Sequence, residues 1–267
     1  IRQDSFLILR FFDCFPIFQQ FPKLFSDIRQ LFHSFQPVDK ADLYYIIKKL
    51  RKIDPKLLLC IHCEDPDMFR AFLKETQEKH PDSTSMADWD AGRPDFVESN
   101  CLAGAMLINA EVKGNIYIVH TSSKKSLDVY KALSDNIDCG RVTIETCPQY
   151  LLLDKTASID AKVNPALHTK QDNEALWEGI RNGIVKTIGT DNVPVTKEQK
   201  YTRSGKHCDT LWDTWVGFST PGLAMPALIS EGYLKRNIPL TTIAQVLSTN
   251  TAKSFNLPQK GAIKVGM

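Results

Sequence analysis

The sequence predicts an α/β protein built on a parallel sheet, arranged as a barrel or as an open doubly wound sheet. The chain has 267 residues, close to the size of one barrel domain. From about residue 39, short apolar runs alternate with amphipathic segments. Such runs are typical of strands that are buried on both faces, and strands that alternate with helices pair in parallel through crossover connections.

Each element follows from its local pattern. The apolar runs predict strands over 56–62, 115–120, 141–146 and 185–191. Apolar residues at helical spacing predict helices over 39–50, 67–79, 94–112, 124–133 and 172–182. Residues 192–220 predict a long polar loop, and 221–257 a largely helical tail in which residues 248–251 form an N-cap cluster.

Composition limits the classes of partner. The 33 basic and 31 acidic side chains give a net charge of +2, so no charge excess favours nucleic acid or an anionic membrane. A small-molecule partner is therefore expected. The seven cysteines are odd in number and irregularly spaced, which argues against a secreted disulfide framework and predicts a reducing, cytoplasmic location.

The first 36 residues differ from the rest. Nine of the 14 phenylalanines lie between Phe6 and Phe35, and Arg10 and Asp13 interrupt an apolar stretch that is too short to cross a bilayer. Residues 1–36 are therefore predicted as an atypical segment and 37–267 as the domain. The segment is either a buried or interface element without chemistry of its own, or one that does not belong to the fold.

Three predicted strands end on residue types that bind metals: His62, His120 and Asp191. In parallel α/β proteins the carboxyl ends of the strands converge at one edge. Two imidazoles and a carboxylate suit a divalent ion that keeps one position open for water, and Asp191 would be the proton acceptor. Each residue alone is more often structural; the three together favour a metal site.

Other candidates are weaker. Cys60 and Cys63 form a C-x-x-C without the second pair that a structural zinc site needs. His33 and His80 have no partner in the sequence and are predicted at the surface, and residues 207–208 (His-Cys) lie in the polar loop.

Six strings in order over residues 38–267 carry a family resemblance. They are IHCED at 61–65, YIVHTSS at 117–123, ETCPQYLLLD at 145–154, KVNP at 162–165, IGTD at 188–191 and STNTAK at 248–253. Together they resemble the cyclic amidohydrolases, the group that includes dihydropyrimidinase, hydantoinase, allantoinase and dihydroorotase.

The resemblance implies a (β/α)8 TIM barrel with a binuclear zinc centre. His62 and His120 match the two histidine ligands of one metal, and Asp191 matches the carboxylate that binds metal and moves the proton. Asn164 lies in the stretch that hydrogen-bonds the substrate ring, and residues 217–226 resemble the loop that closes over the substrate. Barrels of this family tend to associate, so a homo-oligomer is also implied.

The chain departs from the family pattern in several places. It has no His-x-His, and Lys23 is the candidate for the carboxylated lysine that bridges the two metals. Residues 165–168 read Pro-Ala-Leu-His where the family has Pro-Pro-Leu-Arg, which disfavours a carboxylate-bearing substrate such as dihydroorotate. We therefore expect an incomplete barrel that lacks the first strands and the small β-sandwich, with one metal site incomplete.

The function implied is a hydrolase that opens a cyclic amide, such as a hydantoin or dihydropyrimidine, with metal-bound hydroxide. The alternative is a catalytically inactive relative that acts as a binding or assembly partner. The missing His-x-His and the altered substrate loop favour the alternative.

Overall fold

The computed structural model describes residues 38–193, 195–196, 200 and 210–265. Segment 1–36 with Lys23 and His33, and residues 207–208, lie outside them. The strands are β1 (Leu59–Ile61), β2 (Asn115–Ile118), β3 (Arg141–Thr146) and β4 (Val185–Ile188). The helices are α1 (Lys40–Ile53), α2 (Pro66–Lys79), α3 (Met86–Gly92), α4 (Asp95–Val112), α5 (Lys124–Asn136), α6 (Pro148–Leu152), α7 (Lys170–Arg181), α8 (Ala224–Ala227), α9 (Leu240–Ala244) and α10 (Asn250–Ser254), with π-helical segments Leu228–Leu234 and Gln245–Thr249 and a 3-10 turn Ile159–Ala161.

The strands form one parallel sheet in the order β1-β2-β3-β4. Tyr117 on β2 pairs with Cys60 on one side and Thr143 on the other. An open doubly wound sheet reverses its strand order at a switch point, whereas a barrel adds each strand beside the preceding one. The described strands show no reversal, so the sheet has the strand order of a barrel arc.

The predicted and observed strands differ mainly in where they end. The predicted strand 56–62 pairs only from Leu59 to Ile61, where β2 lies beside it. The strands predicted to reach His120 and Asp191 stop earlier, because both residues adopt left-handed backbone (φ 41° and 43°) that cannot continue a strand. The strand prediction 141–146 matches β3, whereas the other three predictions are right in position but too long at their ends.

The helices predicted from apolar spacing are confirmed, with local caps that explain their starts. Asp39 caps α1 by accepting a hydrogen bond from the backbone N–H of Asp42. Thr169 and Asp172 form a reciprocal capping box at the start of α7. No helix in the described residues is long and apolar enough to cross a membrane.

The prediction of an N-cap at residues 248–251 is wrong. Residues 245–249 are a π-helical segment, and the chain continues from it into α10 with no side-chain cap. The polar side chains bond elsewhere: the Thr249 hydroxyl donates to the Gly261 carbonyl, and the Asn250 amide donates to the Lys186 carbonyl on β4. The Asn250 bond attaches the helical tail to the sheet, and the Thr249 bond ties the tail to itself.

Two short helices, α3 and α6, were not predicted. α3 has seven residues, too few for an apolar repeat to be recognised, although Met86 and Trp89 are its buried positions. α6 begins at Pro148, directly after β3.

A buried amide joins α4 to the sheet. Asn109 is fully enclosed, and its Nδ2 lies 2.7 Å from the Cys139 carbonyl and 3.4 and 3.3 Å from the carbonyls of Gly114 and Arg141. Gly114 and Cys139 lie in the turns that lead into β2 and β3, and Arg141 is the first residue of β3. The amide therefore fixes where both strands start relative to α4.

Replacing Asn109 with Leu is expected to destabilise the protein by about 1 to 3 kcal/mol, because the buried carbonyls lose their donor. Urea denaturation of the full chain measures the change. Asn136→Leu, at an exposed amide that bonds only within α5, is the matched control and is expected to stay within about 0.5 kcal/mol. Equal losses in the two variants would contradict this role.

Candidate functional site

The carboxyl ends of the strands carry the predicted metal ligands. His62 follows β1 directly, His120 lies two residues beyond β2, and Asp191 three beyond β4. The left-handed backbone of His120 and Asp191 is uncommon for residues other than glycine, and such positions are concentrated at functional sites. It turns the chain sharply where each ligand candidate stands.

The structure brings the two histidines together. Nδ1 of His62 lies 2.9 Å from Nε2 of His120, and both side chains are buried. The rings meet edge to face, with centroids 4.6 Å apart. Two ring nitrogens therefore face each other at the carboxyl edge of β1 and β2.

A buried ion pair fixes the orientation of His62. Its Nε2 lies 2.8 Å from a Glu64 carboxylate oxygen, and Glu64 accepts two hydrogen bonds from Arg93, at 3.0 and 2.6 Å. Arg93 lies over the rings of Phe69 and Trp89. With Nε2–H donated to Glu64, Nδ1 of His62 carries the lone pair that points toward His120.

Burial alone would raise the pKa of Glu64, but the Arg93 guanidinium and the His62 ring hold it well below its ordinary value. The carboxylate is thus charged at neutral pH.

The histidine pair fits the coordination chemistry of a divalent metal. Two nitrogens bound to one tetrahedral zinc ion at about 2.0–2.1 Å stand about 3.3 Å apart, and the present separation is 2.9 Å. Metal-binding histidines usually donate the other ring N–H to a carboxylate, as His62 does to Glu64.

The complete donor set is not assembled in the described residues. Among them, no group of three or more His, Cys, Asp or Glu side chains is placed to hold a metal ion. The expected convergence of His62, His120 and Asp191 is therefore met by the two histidines only. Asp191 as a ligand stays a prediction, and so does Lys23, which lies outside the described residues.

Asp191 instead acts electrostatically on β3 and α6. Its charge raises the pKa of Glu145, Cys147 and Tyr150, in each case after a larger effect of burial. Loss of water raises the pKa of Glu145 to about 7, against hydrogen bonds from Tyr117 and the His120 N–H. Glu145 therefore stands between the ends of β2 and β4.

Asn164, the predicted substrate contact, follows the buried residues Lys162 and Val163. Its side-chain oxygen Oδ1 is enclosed and accepts no hydrogen bond in the described part of the chain. An enclosed amide oxygen without a donor is costly unless another group supplies one. The N–H of a ring amide would be such a donor.

Residues 210–220, which we call the strap, contain the first part of the predicted closing loop. The Lys162 ammonium donates to the carbonyls of Leu211 (2.7 Å) and Thr214 (2.9 Å), and the Lys162 carbonyl accepts from the Gly217 N–H (2.7 Å). The Lys200 ammonium donates to the Gly217 carbonyl at 2.6 Å. Both ends of Lys162 thus anchor the strap two residues from Asn164.

His168 ends the stretch of residues 165–168, which reads Pro-Ala-Leu-His. Its Nδ1 lies 2.6 Å from Asp90, whose second oxygen accepts from Lys155 at 2.7 Å. Burial lowers the pKa of His168, but the Asp90 carboxylate outweighs it and the net shift is upward. His168 is therefore engaged in a buried structural ion pair.

Sequence reasoning missed Glu64, Arg93 and Glu145 as site residues. The sequence could have indicated Glu64, because residues i and i+2 of an extended chain lie on the same face and Glu64 is two residues after His62. Arg93 had none, because it comes from the turn after α3. The structure also describes three of the weaker sequence candidates. His80 is exposed, as predicted, and Cys60 and Cys63 are buried free thiols.

A cavity of about 550 Å³ lies beside the carboxyl end of β1. Its lining includes His62 and Glu64 together with apolar side chains of α1, α2 and α4.

The Glu64→Gln variant is expected to lose about 3 to 5 kcal/mol of stability at pH 7, because it leaves the Arg93 charge buried without its partner. Since the folded pKa of Glu64 lies below the unfolded value of about 4.3, the pair stabilises above that pH and the contribution falls as pH drops. The difference from wild type should therefore narrow below about pH 4 in denaturant titrations.

The exposed pair Glu75–Lys79, with the same kind of contact at 2.6 Å, provides the control. Glu75→Gln should leave the free energy of unfolding unchanged. A Glu64→Gln variant as stable as this control at pH 7 would refute the assignment.

No protein-family model matches the sequence. Among curated proteins, the allantoinase of Bacillus licheniformis is 30% identical over 244 residues, which are 89% of this chain and 51% of that protein. The allantoinase of Rubrobacter xylanophilus is 29% identical over 238 residues, 87% of this chain and 50% of that protein.

Solved structures agree in fold. The dihydropyrimidinase of Brevibacillus agri has a TM-score of 0.77 and 25% identity, covering 88% of this chain and 50% of that one. The L-hydantoinase of Arthrobacter aurescens has a TM-score of 0.76 and 25% identity over 88% of this chain and 51% of that one. These likenesses confirm the predicted α/β fold. The chain spans about half the length of the relatives it matches, and its likeness to them in sequence and fold supports membership of the cyclic amidohydrolase family.

Proposed function

We propose that this chain is part of a metal-dependent hydrolase that opens a cyclic amide. The observation that carries the proposal is the pair of ring nitrogens of His62 and His120, which face each other at 2.9 Å with Glu64 fixing the first ring. Relatives named allantoinase, dihydropyrimidinase and hydantoinase support five- and six-membered cyclic amides as the substrate class.

His62 through Nδ1, His120 through Nε2, and Asp191 would hold the ion, and a carboxylated Lys23 would be a further ligand of a binuclear centre. Zinc suits this set, because it accepts both imidazole and carboxylate donors. When bound, the ion supplies Lewis acidity, which makes water a nucleophile at neutral pH and polarises a carbonyl.

The chain's own residues supply proton transfer and orientation. The Asp191 carboxylate takes a proton from the attacking water and gives it to the ring nitrogen as the C–N bond breaks. Asn164 Oδ1 accepts a hydrogen bond from the ring N–H, and the strap anchored by Lys162 covers this side of the substrate. We place the enzyme in the cytoplasm, since the five cysteines of the described residues are free thiols.

A second candidate function is an inactive relative that binds or assembles with another protein. The observation that favours it is the two-donor site: in the described ranges, only His62 and His120 of the predicted ligands meet. Metal content separates the two candidates.

The full-length protein, dialysed against zinc and analysed by mass spectrometry, is expected to retain zinc and to open hydantoin, dihydrouracil or allantoin. His62→Ala and His120→Ala should each weaken zinc binding by more than the roughly 10- to 100-fold that loss of an outer carboxylate costs. His80→Ala, at an exposed histidine, should change neither property. A wild-type protein that retains no zinc and opens none of the rings supports the inactive candidate.

Asn164→Ala should reduce kcat/KM for ring opening by about 2- to 10-fold, the worth of one hydrogen bond of about 0.5 to 1.5 kcal/mol. Its zinc content should stay at the wild-type level, because Asn164 holds the ring and not the ion. Steady-state kinetics on the best substrate, with Asn136→Ala as the control, measure the effect. A variant with unchanged kcat/KM excludes Asn164 as a substrate contact.

A further inference from the structure

The Glu145 side chain contacts the backbone at two places: at His120 and at Gly189, which lies two residues before Asp191. On one side, its Oε1 accepts a hydrogen bond from the backbone N–H of His120 at 3.2 Å. That N–H belongs to the residue with left-handed backbone at the end of β2. Its partner is thus a side chain of the neighbouring strand.

On the other side, the carboxylate of Glu145 lies against Gly189. A Cβ at Gly189 would stand 2.4–2.5 Å from the carboxylate atoms, which is closer than real contacts allow. Gly189 is two residues before Asp191, and the backbone there approaches the carboxylate closely only because it has no side chain. Glu145 therefore fills the space between the ends of β2 and β4.

The second oxygen of Glu145 is fixed as well. It accepts from the Tyr117 hydroxyl at 2.6 Å, and that hydroxyl lies 2.6 Å from the Thr187 hydroxyl. Tyr117 belongs to β2 and Thr187 to β4, so three adjacent strands hold the carboxylate. A group held at both oxygens can fix the positions of the chains around it.

We propose that Glu145 is a positioning residue that holds the backbone of His120, and through Gly189 that of Asp191, so that the His120 ring faces His62. It contacts neither ion nor substrate in this role. The inference rests on the proposed function, in that His120 is taken as a metal ligand.

Cobalt(II) binding to the full chain tests the proposal through affinity and the visible spectrum, neither of which needs activity. Glu145→Leu, which cannot accept the His120 N–H, should weaken cobalt binding by roughly 10- to 100-fold, as for other outer partners of metal ligands, and alter the spectrum. Glu145→Gln keeps an oxygen acceptor and should restore affinity to within about threefold of wild type. Glu111→Leu, at an exposed glutamate of α4, is the control and should bind as wild type does.

Gly189→Ala covers the case in which Glu145→Leu fails to fold. Its added methyl should displace the carboxylate and weaken cobalt binding with Glu145 intact, whereas Gly104→Ala, whose new methyl would meet only the Lys40 side chain at 3.8 Å, should not. Folded Glu145→Leu or Gly189→Ala with wild-type affinity and spectrum overturns the proposal.

If the wild-type chain binds no cobalt, the proposed function fails, and ¹⁵N NMR of the histidine rings still decides the positioning role. The contact between His62 Nδ1 and His120 Nε2 should give shifted ring nitrogens in wild type and Glu145→Gln, but not in Glu145→Leu or Gly189→Ala. Identical ring shifts in wild type and the folded disruptive variants would exclude the role.

Discussion

The parallel register of four consecutive strands is the constraint on which the site depends. Because β1 to β4 run in one direction and in sequence order, their carboxyl ends lie along a single edge. Residues that are far apart in sequence, such as His62 and His120, then lie side by side because they follow neighbouring strands. Asn109 supports this arrangement from the opposite end, since its amide fixes where β2 and β3 begin.

Two buried glutamates, Glu64 and Glu145, contact the two histidines in different ways. Glu64 holds the ring of His62 through a side-chain contact and is itself held charged by Arg93. Glu145 reaches the main chain of His120 instead, and is held by the Tyr117 hydroxyl. One acid thus controls ring orientation and the other the course of the backbone. A hydrophobic replacement at either place would leave a buried polar group without its partner.

Sequence patterns predicted a parallel sheet, the main helices and the meeting of His62 with His120, because period and position at strand ends are local properties. They did not predict Arg93, since its contact with Glu64 spans 29 residues and depends on how α3 turns. The 248–251 error has a similar cause: hydroxyl and amide groups that cap helices elsewhere here bond to Gly261 and Lys186. The hydrogen bonds of such polar side chains depend on partners that are distant in the chain, and a single sequence does not show which partners these are.

The strap is anchored through its main chain. The carbonyls of Leu211 and Thr214 accept hydrogen bonds from the Lys162 ammonium, and the Gly217 carbonyl accepts one from the Lys200 ammonium. Carbonyl acceptors are present whatever side chain a residue carries. Side chains along the strap can therefore be exchanged during evolution while its attachment to Lys162 and Lys200 is kept. Selection can thus change the side chains of the strap separately from the residues at the carboxyl edge of the sheet.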